Sequence, residues 1–424
     1  MKELLKSILF DQQKFGWNTR YVRRNCPSSY LSSQEIVVIT GIRRCGKSTL
    51  LQQIRAEQFE KDYFINFDDE RLIQFKVEDF QILYETFIEL FGVQKTFYFD
   101  EIQNISGWER FVRRLHDYGN KVFITGSNAN MLSRELGTHL TGRYVALELF
   151  PFSFSEFLEF SGKTLKQGDI YRTEERSEIK AMFSKFVLFG GFPVFIENQS
   201  DNYIKSLYEN ILYRDVMVRN NLTNEKELLE LVYFLASNVS RLSSFHSLAK
   251  TIGVKNASTI SNYLQFIQNT YLIFQVNKFD FSLKKQIQNP RKTYFIDQAL
   301  VTRLGFLFSE EKGRLLENIV FIELKRQGNE VFYYSGKNEC DFLIRQGIKI
   351  TNAIQVCYSF DTPETKAREL NGLIEAMKAY SLTGGSILTN DTEENIAVEG
   401  LDIQVVPVWK WILQSIYQDA QHPQ

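Results

Sequence analysis

Two short stretches of this chain carry residue types suited to phosphate chemistry. The first is Gly41-Ile42-Arg43-Arg44-Cys45-Gly46-Lys47-Ser48, followed by Thr49. It fits G-x-x-x-x-G-K-[ST], in which a curled backbone turns successive N–H groups onto phosphate oxygens. The lysine then reaches the β- and γ-phosphates, and the hydroxyl holds Mg²⁺. Gly41 and Gly46 let the backbone make that curl. The second stretch is Asp100-Glu101, which ends the run Thr96-Phe97-Tyr98-Phe99. Two acids at a strand end are a weak signal alone. About fifty residues after a phosphate loop they become a strong one. Asp100 is then a Mg²⁺ acid acting through water, and Glu101 a general base or positioning group for the attacking water.

Both stretches need a scaffold, and the flanks supply one. Glu35-Ile36-Val37-Val38-Ile39-Thr40 reads as a buried parallel strand, and Ser48–Ile54 has apolar residues at helical spacing. The helix start adds partial positive charge to the loop. Further strands are expected near 63–67, 121–128 and 144–149, with helices over 3–15, 78–91 and 108–118. Ser127 or Asn128, where the strand from Lys121 exits, is placed to contact the γ-phosphate or the water, with a plain turn as the alternative. Arg143 precedes the last strand; its fixed charge and fork of donors suit a neighbour's developing phosphate charge. The cluster Arg20, Arg23 and Arg24 reads as a solvated face, with nucleotide, subunit or nucleic-acid contact as alternatives. Cys45 reads as a small filler.

The chain has 424 residues, enough for two to four domains. Hydrophobic content of 44% and charged content of 24% are ordinary for a soluble protein. A net charge of −1 excludes a polyanion binder over the whole chain, so any nucleic-acid surface must be local. Cys26, Cys45, Cys340 and Cys357 are too scattered for a zinc knuckle or a disulfide framework, which fits a reducing cytoplasm. The apolar run at the start is too short for a signal peptide, and no run of about 18 apolar residues suggests a membrane span.

Residues 151–225 are helix-rich, with Gly190-Gly191-Phe192-Pro193 between two helical pieces, and read as a lid. Residues 226–300 read as a winged-helix module. Helices are expected near 228–236, 245–253 and 258–269, followed by a hairpin from Tyr271–Phe274 with the segment through Phe281. From Arg241 to Lys292, eight basic residues stand against Asp280 alone. Such an excess suits phosphates, with Ser258, Thr259, Ser261 and Asn262 at the recognition positions. Protein docking is the alternative use of such a module. Residues 301–424 read as an α/β unit with a helix carrying Glu317 and strands carrying Asp341 and Gln355-Val356-Cys357.

The stretches GIRRCGKSTL, FDDERL, YFDEIQ, ITGSN, LTGRY followed by LELFPFSFSEF, and GGFP together resemble AAA+-superfamily ATPases. More narrowly, they resemble a prokaryotic family of ATP-binding proteins in which such a domain precedes a conserved domain of unknown function. The resemblance spans roughly residues 15–200. It implies ATP and Mg²⁺, with Lys47 as loop lysine, Ser48 as Mg²⁺ hydroxyl, Asp100 as Mg²⁺ acid and Glu101 as water-activating acid. It also implies Ser127 or Asn128 as sensor and Arg143 as arginine finger. The last unit is similar to the PD-(D/E)xK nuclease fold, with Glu317 and Asp341 as its first acids. That pattern then calls for acid-x-lysine, where this chain has glutamine and cysteine. Neither replaces the missing charge, so the reading is a nuclease-like fold that has lost the reaction, with Lys366 the one displaced lysine to examine.

The expected class is therefore α/β: an AAA+-like parallel sheet (1–150), a helical lid (151–225), a winged helix (226–300) and a nuclease-like domain (301–424). The expected function is Mg²⁺-dependent ATP hydrolysis that repositions C-terminal partner-binding domains. The alternatives are an ATP-gated DNA or protein adaptor and an ATP-controlled endonuclease. Expected partners are DNA at the basic region, copies of the chain itself and an unknown protein, in the cytoplasm and away from membranes.

Overall fold

Apolar β-branched and aromatic runs, each closed by turn residues, set the strands of this protein. A computed structural model describes residues 1–14, 21–127, 140–166, 168–305 and 312–421, with side chains to 414. The chain divides into two units, one of Met1–Phe150 with Asn269–Tyr271, the other of Pro151–Gln268 with Leu272–Gln424.

In the first unit, β1 (Ile36–Thr40), β2 (Phe64–Asn66), β3 (Thr96–Asp100), β4 (Lys121–Gly126) and β5 (Tyr144–Glu148) form a parallel sheet in the order β2-β3-β4-β1-β5. All five residues of β1 are buried, as expected of a parallel strand covered on both faces. The helices are α1 (Lys2–Lys14), α2 (Ser28–Ser32), α3 (Lys47–Glu57), α4 (Phe80–Phe91) and α5 (Trp108–Asp117). Aromatic side chains fill the core; Phe80 stacks on Phe111 with centroids 4.5 Å apart. The order of strands matters most for chemistry. Because β4 lies between β1 and β3, the loop after β1 and the acids after β3 flank the carboxyl end of β4. Ligands of open α/β sheets bind at such carboxyl ends. The FDDERL stretch has a structural use. Asp69 caps the turn that follows it and holds Arg71, which reaches Asp11 of α1 at 2.7 Å.

The second unit opens with helices α6 (Phe154–Phe160), α7 (Thr173–Phe189), α8 (Pro193–Asn198) and α9 (Asp201–Asn210), the last continuing as a π-helix through Val218. Ser153 and Glu156 make a capping box at the start of α6. Then come α10 (Glu225–Ser237), β6 (Leu242–Ser243), α11 (Phe245–Ile252), α12 (Ala257–Asn269), β7 (Ile273–Asn277), α13 (Leu283–Gln288) and β8 (Arg291–Phe295). The three short strands pair antiparallel in the order β6-β8-β7. The hairpin expected to close by Phe281 instead closes at β8. Asp280 accepts from the N–H of Ser282 at 2.8 Å in a turn ahead of α13, so the chain spends one helix before returning.

After α14 (Gln298–Leu304) and α15 (Lys312–Arg326), strands β9 (Glu330–Ser335), β10 (Glu339–Gln346) and β11 (Lys349–Cys357) form an antiparallel meander. Helix α16 (Pro363–Ala379) leads to β12 (Gly384–Thr389), β13 (Glu394–Val398), β14 (Leu401–Pro407) and α17 (Val408–Gln421). The resulting mixed sheet runs β13-β14-β12-β11-β10-β9.

The paired glycines of GGFP belong to this unit's core. The Gly191 N–H donates to Asp297 Oδ2 at 2.7 Å, and the Asp297 Oδ1 caps α14 through the Ala299 N–H at 2.8 Å. Gly190 has φ +66°, and a Cβ there would fall 1.9 Å from Asp297 Oδ1. Gly253 also has positive φ, at +80°, but nothing within 4 Å of its Cβ position. Gly253→Ala is therefore expected to cost about 1–2 kcal/mol, from backbone strain alone. Gly190→Ala is expected to cost about 3 kcal/mol or more, because a clash is added to the strain. Denaturant unfolding of the two variants measures the difference, and equal losses would contradict it.

Candidate functional site

The phosphate loop is shaped by what its glycines lack. Gly41 has φ +144°, and a Cβ there would fall 2.1 Å from the carbonyl oxygen of Leu149. Gly46 has φ +104° and sits at the N-cap of α3 with no side-chain cap, so the first amides of that helix stay unpaired by side chains. Lys47 is buried and its Nζ lies 3.1 Å from the Ile42 carbonyl, folded along the loop it serves. Ile42 and Cys45 are buried beneath the loop, and burial pushes the Cys45 thiol up, which suits a filler. Arg43 is half-buried, Arg44 is exposed with φ +68°, and Thr49 is half-buried on the first turn of α3.

The acids stand beside this loop. The Ser48 hydroxyl donates to Asp100 Oδ1 at 3.0 Å, and the Thr125 hydroxyl donates to the same oxygen at 2.6 Å. Asp100 is buried, and burial pushes its carboxyl up to about 6 against the pull of Thr125, Ser48 and Lys47. Thr125 also accepts from the Glu101 N–H at 2.9 Å, so one hydroxyl orients both acids. Glu101 has φ +52°, a conformation rare outside glycine that here aims its side chain off the strand end. Gln103, the last residue of YFDEIQ, donates to the Glu101 carboxylate. One exposed hydroxyl and one buried carboxylate, both oxygen donors, fit a Mg²⁺ ion that keeps most of its other ligands from water and phosphate.

The remaining expected positions scatter. Ser127 is buried at the exit of β4, and Asn128 and Arg20 lie outside the described residues. Thr125 was not singled out in the sequence, because within Val122–Thr125 it reads as a β-favouring core residue. Arg143 lies at the opposite end of the sheet from the loop, where its carbonyl accepts from Ile36 and its Nε donates to Asp117 at 3.0 Å. That pair holds the Asp117 carboxyl below its usual range. Arg24 is not on a solvated face. It is buried, donates to the Phe150 carbonyl at 2.8 Å and lies 3.4 Å from the Cys45 carbonyl, so it braces the phosphate loop from behind. Arg23 is exposed and pairs with Glu57. Beside Arg24 a cleft of about 340 Å³ runs along α3, with Leu31, Leu50 and Ile54 among its walls.

In the second unit, Glu317, Asp341 and Gln355 do come together, all of them buried, with the Asp341 N–H donating to Gln355 Oε1 at 3.1 Å. Lys366 does not join them; its Nζ pairs with Glu394 at 2.7 Å. The ammonium beside the acids is that of Lys292, at 2.8 Å from Asp341 Oδ1 and 3.1 Å from Glu317 Oε1. Lys292 therefore leaves the basic surface to which its position in the chain had assigned it. Among the described residues, no helix is long and apolar enough to cross a membrane.

Comparison with known proteins bears on the fold that carries these residues. Residues 33–158 match a family described as AAA domain, which makes the first unit a P-loop AAA+ domain, the class whose members use ATP. Residues 180–311 and 312–411 match two domains of unknown function, DUF8612 and DUF4143. An uncharacterized protein of Methanocaldococcus jannaschii is 36% identical over 432 residues, covering 97% of this chain and 96% of that one. An uncharacterized protein of Haemophilus influenzae is 30% identical over 399 residues, covering 89% and 94%. The chain belongs to the family that these two archaeal and bacterial proteins represent. The Aeropyrum pernix Orc1 protein, solved in complex with DNA, overlaps 64% of this chain and 86% of its own at 11% identity and a TM-score of 0.27. So loose an overlap supports nothing about partners.

The Thr125 hydroxyl is the joint of the site, which makes its removal informative. Thr125→Val keeps the volume and removes both hydrogen bonds. ATP affinity is expected to stay within about threefold, whereas turnover falls by about tenfold to a hundredfold, or about 1.4–2.7 kcal/mol of activation free energy. Nucleotide binding and phosphate release on the same preparation measure the two effects.

Proposed function

We propose that this protein binds ATP with Mg²⁺ at the carboxyl edge of β1, β4 and β3 and hydrolyses it. The observation that carries this reading is the shared oxygen of Asp100, bonded at once to the loop hydroxyl of Ser48 and to Thr125, with Glu101 turned out beside them. The loop amides and Lys47 bind the β- and γ-phosphates. Ser48 and Asp100 hold the cation, which when bound supplies positive charge to the phosphate oxygens. Glu101, steadied by Gln103, takes the proton of the attacking water or orients that water. The apolar walls of the cleft along α3 suit a nucleobase, with Arg23 and Glu57 at its edge.

Arg143 serves a neighbouring copy. β5 pairs in register with β1, Tyr144 opposite Ile36 and Glu148 opposite Thr40. Arg143 therefore lies about 20 Å, six strand residues, from its own phosphate loop. An arginine finger at that position reaches a nucleotide only across a subunit boundary, which implies assembly of the chain with itself. Phosphate release tests these roles together. Lys47→Ala is expected to lose nucleotide binding, and Glu101→Gln to bind ATP without turnover. Arg143→Ala mixed with Lys47→Ala is expected to recover turnover that neither shows alone. Wild-type turnover by Glu101→Gln, or no recovery on mixing, would remove the corresponding assignment.

For the second unit we propose a winged helix that meets DNA backbone. A cleft of about 470 Å³ in this unit is lined by Ser258, Ser261 and Asn262 of α12, together with His246, Asn289 and Arg291. Arg291 lies over the ring of Phe245 at 4.9 Å, while Lys250, Lys255, Lys284 and Lys285 are exposed. A gated adaptor that docks protein is the second reading, supported by the exposed apolar side chains Phe281, Leu283 and Ile287 around α13. Lys284→Glu with Lys285→Glu is expected to weaken duplex DNA binding at least tenfold and to flatten its salt dependence, both read by fluorescence anisotropy. Unchanged affinity, or none in the wild type, would favour docking.

A further inference from the structure

The acidic pocket of the second unit already contains a cation, and that cation is part of the chain. Lys292 lies on β8 and is 2% exposed. Its ammonium meets three carboxylates: Glu339 Oε1 at 2.7 Å, Asp341 Oδ1 at 2.8 Å and Glu317 Oε1 at 3.1 Å. An ammonium has three protons to give, and three acceptors take them. Two of the acids are held by further bonds. Glu317 Oε1 accepts from the Tyr294 hydroxyl at 2.6 Å, and Asp341 Oδ2 accepts from the Val356 N–H at 3.0 Å. Gln355, standing where a third metal acid would be needed, donates to Glu369 at 2.6 Å and adds no charge.

The contacts of 2.7–3.1 Å are charge-assisted hydrogen bonds that fill the space between the carboxylates. The lysine is also held at its base. Asn318 of α15 accepts from the Phe295 N–H at 2.8 Å and donates to the Phe295 carbonyl at 3.0 Å, which fixes β8 against the helix that carries Glu317.

We propose that the Lys292 ammonium stands in for a divalent cation in this pocket, so that the pocket is an internal staple between β8, α15 and β10 and has no hydrolytic use. The exposed helices and cleft around β8 are then carried rigidly on the C-terminal sheet, and the second unit binds without cutting. This inference is independent of the nucleotide site and fails or stands separately from it.

The test titrates the full, nucleotide-free chain with Mn²⁺ and counts bound ions by the loss of the free-ion electron paramagnetic resonance signal. Wild type and Asp341→Asn are expected to bind the same number. Lys292→Ala is expected to gain one site absent from wild type, and Lys292→Ala with Asp341→Asn to lose it. A folded Lys292→Ala that gains no site would overturn the substitution of ammonium for metal. One fewer ion in Asp341→Asn than in wild type would overturn the proposal, as would Mn²⁺-dependent nicking of supercoiled plasmid that Asp341→Asn abolishes. If Lys292→Ala does not fold, Lys292→Met keeps the stem, and the comparison of wild type with Asp341→Asn decides without either variant.

Discussion

A carboxylate withdrawn from water must be hydrogen-bonded, paired with a cation or neutralised, and two buried acidic clusters of this protein meet that requirement in different ways. In the first, Asp100 is buried with two hydroxyls for company, Ser48 and Thr125, and burial raises its carboxyl to about 6. Under the function proposed above, an incoming Mg²⁺ completes the set. In the second, Glu317 and Asp341 are buried around Lys292, and the chain completes the set by itself. The same physical demand leaves one pocket open to a ligand and closes the other.

The rest of the first unit serves that open pocket. The loop can pass under Leu149 only because Gly41 has no Cβ, and α3 can begin at the loop only because Gly46 tolerates a left-handed backbone. Arg24 closes the back of the loop by binding two carbonyls, those of Phe150 and Cys45. β4 contributes Thr125 from between the two strands that carry the loop and the acids. The Thr125 hydroxyl thus fixes both Asp100 and the backbone of Glu101 in the free chain.

What could be read in the sequence was local, and what could not was distant. The phosphate loop, Asp100 and Glu101 are short runs whose chemistry follows from neighbours within ten residues, and the AAA domain match over 33–158 is consistent with them. Thr125 escaped notice because its burial pattern is that of any core strand residue; only the strand order places it against Asp100. Arg24 was misread because a basic cluster near a chain start is normally solvated, and its acceptors include a carbonyl 126 residues away. The second strand of the expected hairpin lies later, at β8, because Phe279 and Phe281 continue an apolar run in the sequence while Phe279 packs on Phe332 and Phe281 is exposed. Lys292 was counted as surface charge and Lys366 examined instead, since nothing in the local pattern shows which face of β8 meets α15. Its partners are 25 and 49 residues further on.

The most direct measurement is calorimetric titration of the purified chain with ATP, first with Mg²⁺ and then with the Mg²⁺ chelated. Saturable heat with one nucleotide per chain, weakened when Mg²⁺ is removed, is the expected result. No heat under either condition would contradict the reading of the loop and its acids as a nucleotide site.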